Sequence, residues 1–589
     1  MTQDRDNSPV LLFDFEHLSD TDGLVFTNPT RVIEAFHVDD VRPALLKVDE
    51  FVRQGFYAAG FIAYEAAPAF DPALRTHRTS PGPLLWFGIF KQPTSSRPAP
   101  HGDYHLGDWM PSIDEQTYNN DIHSIRSAIE RGETYQVNYT MRLHTQFHGD
   151  SLALYESLRS TQQAPFSAYV NTGDSQLVSM SPELFFQVAD GKITTRPMKG
   201  TVPRGRWLAE DDVQRNRLRA SEKDQAENVM IVDLLRNDLS RIARPGSVHV
   251  KQLFEIERYP TVFQLTSTIE GDVRDGTPLD SIFSALFPCG SITGAPKVST
   301  MNLITRLESE PRGVYCGTMG YIEPNGRATF NVAIRTIQLS ETSGTAVYGT
   351  GGGITWDSTA HGEYQEAWTK ARALTGGWQP FELLETIRYE QGQYRLLDRH
   401  ISRLRASAEY FAFPCDESQI LKDLRHYAKS LPCNPPHRVR LLVSREGHIH
   451  LESSPMGAEI TTSQPVVLAK HAIDSSSPFL YHKTTHRDVY DIHRKMFPQV
   501  FDVLLWNEHG ELTEFTIGNL VLEIGDEKWT PAKESGLLAG TLRDDLIESG
   551  ILKERRLTLD DLRKANQAWL INSVRGWVKV HIVEPEPAR

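Results

Sequence analysis

A helical stretch ending in Lys370-Ala-Arg-Ala-Leu runs directly into Thr375-Gly-Gly-Trp-Gln-Pro380. Glycine after a helix, then proline, is a stop signal, because glycine accepts the left-handed cap and proline cannot continue the ladder. The stop divides a chain of 589 residues, which is more than one hydrophobic core can organise. The expected division is an N-terminal part at 1–119, a core at 120–375, a linker at 376–380 and a second module at 381–589.

Composition narrows the partners. A net charge of -14 argues against nucleic acid and against anionic membrane surfaces. The segment MTQDRDNSPV lacks the basic and apolar regions of a secretory signal. The apolar stretch from Ala58 to Phe70 is short and holds Glu65, so it is no membrane span. Cys289, Cys316, Cys415 and Cys433 are widely spaced without a C-x-x-C. They read as reduced thiols of a cytoplasmic protein.

Locally, Ser167-Ala-Tyr-Val, Gln176-Leu-Val-Ser and Leu184-Phe-Phe-Gln-Val read as strands. Ser221 to Arg241 reads as one helix, N-capped by Ser221 and ended before Arg244-Pro-Gly. Its apolar residues, Val229 to Val232, Leu234, Leu235 and Leu239, wrap most of the surface and predict a buried helix. Gln92 to Gly102 reads as a surface loop. In the second half, a strand from Phe381 to Tyr389, a turn at Gln391-Gly and a helix carrying Arg399-His-Ile-Ser-Arg follow one another.

Glu363, Glu366 and Lys370 fall at i, i+3 and i+7, one face of a helix. On spacing alone this is an ordinary solvated face. Upstream lies Tyr348-Gly-Thr-Gly-Gly-Gly-Ile-Thr, whose backbone N–H groups could approach an anion. Glu227, on the helix expected to be buried, adds a third carboxylate. An oxygen-only set of this kind suits Mg²⁺.

These segments stand among others of the same pattern: Gly132-Glu-Thr-Tyr-Gln-Val-Asn-Tyr, Ser181-Pro-Glu-Leu-Phe, Arg196-Pro-Met-Lys-Gly-Thr, Ala226-Glu-Asn-Val-Met-Ile-Val-Asp, Phe287-Pro-Cys-Gly-Ser-Ile-Thr-Gly-Ala-Pro-Lys and Ala333-Ile-Arg-Thr. Together, over residues 120 to 375, they resemble the chorismate-utilising family of anthranilate, isochorismate, salicylate and aminodeoxychorismate synthases. The resemblance implies Mg²⁺ on Glu227 and Glu366 with Glu363 close by. It implies the ring carboxylate of chorismate near Lys370 and Gly351, Gly352 and Gly353, the enolpyruvyl carboxylate on Arg335 and Tyr315, and Ser291 lining the pocket. Members that add water carry a lysine where this chain has Gln136, and glutamine cannot take a proton from water. Lys199 resembles the nucleophile of the aminodeoxychorismate synthases, and Glu183 the acid that protonates the departing C4 hydroxyl. Gln264 stands where many members have the histidine associated with pyruvate elimination. The implied reaction therefore stops at 4-amino-4-deoxychorismate.

The second half carries Lys483 in Tyr-His-Lys-Thr-Thr-His-Arg487, Glu514 in Leu-Thr-Glu-Phe-Thr-Ile-Gly-Asn519, and Gly540-Thr541 opening a helix, with Arg403 earlier. A pyridoxal 5'-phosphate (PLP) enzyme needs a lysine to carry the cofactor, a carboxylate near the pyridine nitrogen and donors for the phosphate. In this order the residues resemble fold type IV PLP enzymes, aminotransferases and 4-amino-4-deoxychorismate lyases alike. By that resemblance Lys483 is the cofactor lysine and proton carrier, Glu514 pairs with the ring nitrogen, and Arg403, Gly540 and Thr541 hold phosphate. Phe381 to Arg388 and Ile571 to Gly576 line the substrate side.

The implied whole is an α+β chorismate-binding fold, antiparallel sheets with outer helices, followed by a fold type IV PLP-enzyme α/β module. It would make 4-aminobenzoate and pyruvate for folate synthesis. No Gly-x-Cys-x-Gly amidotransferase nucleophile is present, so ammonia is expected from a separate glutamine amidotransferase subunit or from solution. Self-association through the second module is a further expectation. Competing readings are an anthranilate synthase-like core fused to an aminotransferase, and a second half that only docks or dimerises. Lys199 and Gln264 count against the first, Lys483 and Glu514 against the second.

Overall fold

The computed structural model describes residues 8–15, 23–77, 82–274, 276–340, 343–371 and 380–583. The expected linker at 376–380, apart from Pro380, lies outside them. The chain forms two compact units. The first is Met1–Pro203 with Arg215–Gly377, the second Arg204–Gln214 with Trp378–Arg589.

The first unit is built from two antiparallel sheets. One runs in the order Gly294–Ala295, Gln136–Gly149, Thr345–Ile354, Thr336–Ser340, Ser175–Ser181, Phe166–Asn171, Val10–Phe15, Leu24–Thr27. The other runs Met198–Pro203, Val262–Asp272, Lys192–Arg196, Leu184–Ala189, Ala328–Val332, Thr318–Ile322, Tyr57–Ile62, Leu85–Phe90, Arg31–Ala35. The alternation of strand residues buries both faces of each sheet. Phe13, Phe26 and Val170 of the first sheet meet Phe61, Trp86 and Tyr321 of the second in a shared core. The outer faces carry helices: Val38–Arg53, Glu222–Ser240 and Leu279–Leu286 on one side, Glu115–Glu130, Ser151–Gln162, Lys297–Leu307 and Ala360–Ala371 on the other. This is the expected order of antiparallel sheets and outer helices.

The helix Glu222–Ser240 begins where the sequence placed it, with the Ser221 side chain accepting from the Asp224 N–H. Its burial differs from expectation. Ile231, Val232, Leu235 and Leu239 are buried, but Val229 is 38% exposed. One face packs on the sheet and the opposite apolar residues stay near solvent, because a helix on an outer layer has a single partner surface.

In the second unit the strand Leu383–Glu390 pairs with His437–Val443 in a four-stranded sheet. The helices Leu397–Phe411 and Glu417–Ala428 cover it through Leu404, Ile420 and Leu424. The Gln391-Gly392 turn has both residues at positive φ, 49° and 83°, the conformation a two-residue hairpin loop requires. An eight-stranded mixed sheet runs Leu512–Phe515, Asp502–Trp506, Gln464–Leu468, Gly576–Ile582, Gln567–Asn572, Gly518–Ile524, Glu527–Pro531, Lys553–Arg555. An additional pairing of Leu512–Phe515 with Gly518–Ile524 closes its first six strands into a ring. Leu504, Leu520, Leu570 and Val580 belong to the core of this ring. No helix among the described residues is long and apolar enough to cross a membrane, and all four cysteines are free thiols.

Candidate active sites

In the first unit a cavity of about 450 Å³ gathers Glu183, Lys199, Glu227, Ser291, Tyr315, Arg335, Gly351, Gly352, Gly353, Glu363, Glu366 and Lys370. Gln264 lines it too, while Gln136 does not.

Lys199 owes its direction to a bulge. Met198 pairs with Thr266 and Thr201 with Gln264, so three steps along one strand face two along the other. Gly200 takes φ 90° in the bulge, and a Cβ there would lie 2.9 Å from the Asp224 Cβ. Such a bulge re-aims the side chain beside it. The Lys199 ammonium donates to the Ser291 carbonyl at 3.0 Å. Burial lowers its pKa, and the charges of Glu227 and Glu183 push back. Glu183 is buried, and desolvation raises it to about 7.

At or beside this cavity several buried polar atoms have no hydrogen-bond partner among the described residues: Glu183 Oε1, both amide atoms of Gln136 and Gln264 Oε1. Leaving such atoms unpaired is costly, so their concentration marks a place for a polar ligand. Arg335 sits at φ 50°, an uncommon backbone for a residue other than glycine, and its guanidinium has no hydrogen bond or ion pair among the described residues. It is a cation left for an anion.

The glycine run lies within the strand Thr345–Ile354, with Gly351, Gly352 and Gly353 opposite Thr140, Tyr139 and Asn138, and these three glycines line the cavity. Its glycines are required for space. A Cβ at Gly349 would lie 2.2 Å from the Tyr315 ring, and one at Gly353 2.3 Å from Gln136 Nε2 and 3.3 Å from Lys199 Nζ. Behind this strand, Glu308 binds Arg142 at 3.1 Å, Arg312 at 2.6 Å and the Thr140 N–H at 3.0 Å, all buried. Burial pushes Glu308 up, but the two guanidiniums outweigh it and hold it below the usual range. This prop was not evident from the sequence.

The three expected metal carboxylates share the cavity but are turned to protein partners. Lys370 pairs with Glu366 at 2.7 Å and bonds the Gly351 carbonyl at 3.0 Å. Ser358 donates to Glu363 at 2.6 Å, and Lys223 stands 3.9 Å from Glu227. Desolvation raises Glu227 and Glu363, and the Glu366 charge adds to both. No group of three metal-ligating side chains closes among the described residues. The donor chemistry fits a hard divalent cation, which would relieve this crowding of like charge; holding one requires Glu363 and Glu366 to turn from Ser358 and Lys370.

The second unit holds a cavity of about 960 Å³ lined by Arg403, Lys483, Glu514, Gly540 and Thr541, together with Thr386, Arg388 and Asn572 to Arg575. Desolvation lowers Lys483 to about 8, and the charges of Arg403 and Arg487 act in the same direction. Glu514 is buried and raised by desolvation to about 7. It accepts from Tyr490 at 2.8 Å, Asn519 at 3.1 Å and the Leu538 N–H at 3.0 Å, with no cation bound to it. A buried carboxyl so held, facing a cavity, fits a protonated ring nitrogen. Thr541 opens the helix Thr541–Glu548 with Gly540 as N-cap, where N–H groups favour phosphate. A Cβ at Gly540 would lie 2.1 Å from Asn519 Oδ1. These features fit PLP.

Two residues missed in the sequence stand behind the phosphate set. Glu385 takes Arg403 through both Nε and Nη2, at 2.9 and 2.7 Å, and lies 2.6 Å from His400 Nδ1. His400 Nε2 is 3.2 Å from Thr541 Oγ1. Burial pushes Glu385 up, but Arg403 and His400 override it and hold it at about 2. Arg403 thus lines the cavity while tied to a carboxylate and, through Nη1, to the Ala539 carbonyl at 3.1 Å. Arg388 and Arg575, in the stretches expected on the substrate side, belong to a basic wall whose other members the sequence did not show. Arg388 and Arg438 are direct cross-strand partners, as are Thr386 and Arg440, and all four line the cavity with Arg487 and Arg575. Like charges directly opposite are unfavourable; Glu390 offsets part of this by pairing with Arg388 at 2.6 Å, and Arg438 faces the cavity beside it. The Arg388–Arg438 pair does not show in one-dimensional spacing; the register that joins it is tertiary.

Comparison with known proteins agrees with this division. Residues 93–376 match the chorismate binding enzyme family, and residues 382–583 the amino-transferase class IV family. Aminodeoxychorismate synthase component 1 of Salmonella typhimurium is 40% identical over 266 residues, 45% of this chain and 58% of that protein. Anthranilate synthase component 1 of Mycolicibacterium smegmatis is also 40% identical, over 288 residues, 48% of this chain and 53% of that one. The chain thus spans a little over half the length of these relatives. The crystal structure of anthranilate synthase component I from Streptococcus pneumoniae aligns with a TM-score of 0.52 at 26% identity, covering 64% of this chain and 94% of that one.

Proposed function

From a chain that joins a chorismate binding enzyme domain to an aminotransferase class IV domain, we infer two consecutive reactions: chorismate and ammonia to 4-amino-4-deoxychorismate, then to 4-aminobenzoate and pyruvate for folate synthesis. The observation that carries the reading is Lys199, turned by its bulge into the same cavity as a carboxyl held near pH 7. Identity alone does not separate the two synthase relatives; a lysine nucleophile at this position does.

Lys199, its proton affinity lowered by burial, attacks C2 of chorismate. Glu183, its proton affinity raised by burial, delivers its proton to the C4 hydroxyl as that group leaves. Ammonia adds at C4 and the Lys199 nitrogen is expelled. Arg335 and Tyr315 hold the enolpyruvyl carboxylate, and Lys370 the ring carboxylate. Glu227 and Glu366, with Glu363 near, would hold Mg²⁺, which neutralises the ring carboxylate when bound. Gln136, unable to activate water, leaves the amine as the nucleophile, and Gln264 leaves the enolpyruvyl group in place.

In the second unit Lys483 takes the C4 proton, Glu514 keeps the ring nitrogen protonated, and Arg388, Arg438 and Arg440 receive the substrate's carboxylates. Arg403, Gly540 and Thr541 hold the phosphate. When bound, PLP supplies the electron sink that lets pyruvate depart from C3 as the ring aromatises. Ammonia comes from a separate amidotransferase subunit, the assembly is a homodimer through the second module, and the setting is cytoplasmic.

Chromatography of products from chorismate, ammonia and Mg²⁺ tests this. With PLP the expected product is 4-aminobenzoate; without it, 4-amino-4-deoxychorismate accumulates; with EDTA chorismate persists. Anthranilate as the product would overturn the reading.

A further inference from the structure

The second unit includes a piece of chain from far upstream, Arg204–Gln214, flanked on both sides by stretches of the first unit. Within the second unit this piece is built in. Arg204 and Asp211 pair at 2.6 Å with both side chains 5% exposed. Arg204 also donates to the Tyr410 carbonyl at 2.8 Å and lies 4.4 Å over the Tyr410 ring. Tyr410 Oη donates in return to the Gly205 carbonyl at 2.7 Å.

The next two residues reach the segment that bears the cofactor lysine. Arg206 Nη1 donates to Tyr481 Oη at 2.7 Å and to the Glu534 carbonyl at 2.9 Å. Tyr481 Oη donates onward to the Ser475 carbonyl at 2.8 Å. The Trp207 ring lies 4.9 Å from the Tyr481 ring, and the Lys533 ammonium sits 4.5 Å over Trp207. Tyr410, held by Arg204, stacks on His482 at 4.4 Å, and Ser407 meets His482 Nδ1 at 2.9 Å. Tyr481 and His482 are the two residues before Lys483. Both are fastened by a network that begins in Arg204–Gln214, yet no residue of that piece lines the cavity.

We propose that Arg206 and Trp207 are positioning residues for Lys483: they fix Tyr481 and His482 so that the amine meets its reacting atom, and the class IV domain is complete only with a segment encoded in the first half of the chain. The proposal rests on Lys483 as the cofactor lysine. A side chain held through two anchored neighbours keeps its direction, and a misplacement of about 1 Å at a reacting group costs roughly 10²-fold in rate. Glu210 balances the Arg206 charge through Nε and Nη2, at 3.0 and 2.7 Å, and so holds the guanidinium in place while Nη1 is left to reach the tyrosine hydroxyl two residues from the amine.

The test uses the full-length chain with Arg206→Ala/Trp207→Ala, and separately Arg206→Lys and Trp207→Phe. Hydrogen exchange of residues 475–490 is followed without cofactor, then PLP uptake by its visible band, then kcat and KM on supplied 4-amino-4-deoxychorismate. The expected result is faster exchange in that segment, a shifted or weakened band and a kcat lower by roughly 10²-fold at little-changed KM, with partial recovery in the conservative variants. Unchanged exchange, band and kcat in the double variant would overturn the proposal. If the double variant loses its fold, the single variants decide: wild-type exchange and kcat in both also overturn it. A wild-type protein that never shows the band, or a Lys483→Ala variant that keeps it, refutes the cofactor-lysine reading instead, and the positioning claim with it.

Discussion

The cavities of the two units each hold a lysine and a buried carboxyl raised to about 7, set in opposite fields. Around Lys199 stand Glu183, Glu227 and Glu366, whose charges resist the loss of its proton. Around Lys483 stand Arg403 and Arg487, whose charges assist that loss and take it to about 8. The same two side-chain types are thereby prepared for different ligands. The first cavity is lined by charges of both signs, with Arg335 and Lys370 facing the same space as Glu227, Glu363 and Glu366. An arginine-lined cavity admits phosphate and carboxylates directly. In the proposed sequence the first lysine must add to carbon and leave again, while the second must hold a cofactor and shuttle a proton.

The contrast breaks most visibly at the lysines. Lys199→Ala is expected to cut chorismate consumption by on the order of 10³-fold or more, while supplied 4-amino-4-deoxychorismate is still converted. Lys483→Ala is expected to consume chorismate at the wild-type rate and release 4-amino-4-deoxychorismate without 4-aminobenzoate. Product profiles of the pair check this, and a variant that stops both reactions would show that the cavities are not independent.

A smaller effect separates the two carboxyls. Glu183→Gln should slow the first reaction by roughly 10² to 10⁴-fold. As the proton donor, Glu183 works in its protonated form, so kcat of the first reaction holds below about 7 and falls as pH rises through that value. The glutamine variant loses this limb. A wild-type pH profile flat across that range, once steps outside the chemistry are excluded, removes Glu183 from the role.

The smallest effect tests the basic wall. Arg438→Ala should raise KM of the second reaction by roughly tenfold, the scale of one charge-assisted hydrogen bond, and leave the first reaction unaltered. An unchanged KM would mean that the arginines opposite one another across the strands serve something other than substrate carboxylates.

Much of this was legible in one dimension. The Ser221 cap, the helix after it, the strand from Leu383 and the hairpin at Gln391-Gly392 rest on local rules of capping, alternation and turn geometry, and they stand in the structure close to where those rules put them. The residues named for the first cavity come together because each sits in a recognisable motif. What stayed hidden depends on partners distant in sequence. Glu385 and His400 look like ordinary strand and helix residues until Arg403 and Thr541 are beside them. That the glycine run also makes room for Tyr315, Gln136 and Lys199 could not be read from the run itself, because those neighbours are brought in by the fold. Val229 was misjudged because apolar content does not say which face has a neighbour.

The placement of Arg204–Gln214 in the second unit also sets a timetable. Ribosomes emit about 5–20 residues per second, so the interval between Trp207 and Tyr481 corresponds to roughly 14 to 55 s of synthesis. For that time the strand bearing Lys199 has been made, while the segment after it still lacks Tyr410 and Tyr481. Arg204 and Asp211 wait as a solvated pair, and the first unit cannot close around its own chain without leaving this segment outside. Maturation of this protein is therefore expected to finish only after the C-terminal half has left the ribosome, and a chain halted near residue 380 would carry a polar, unsatisfied loop that chaperones and proteases can reach.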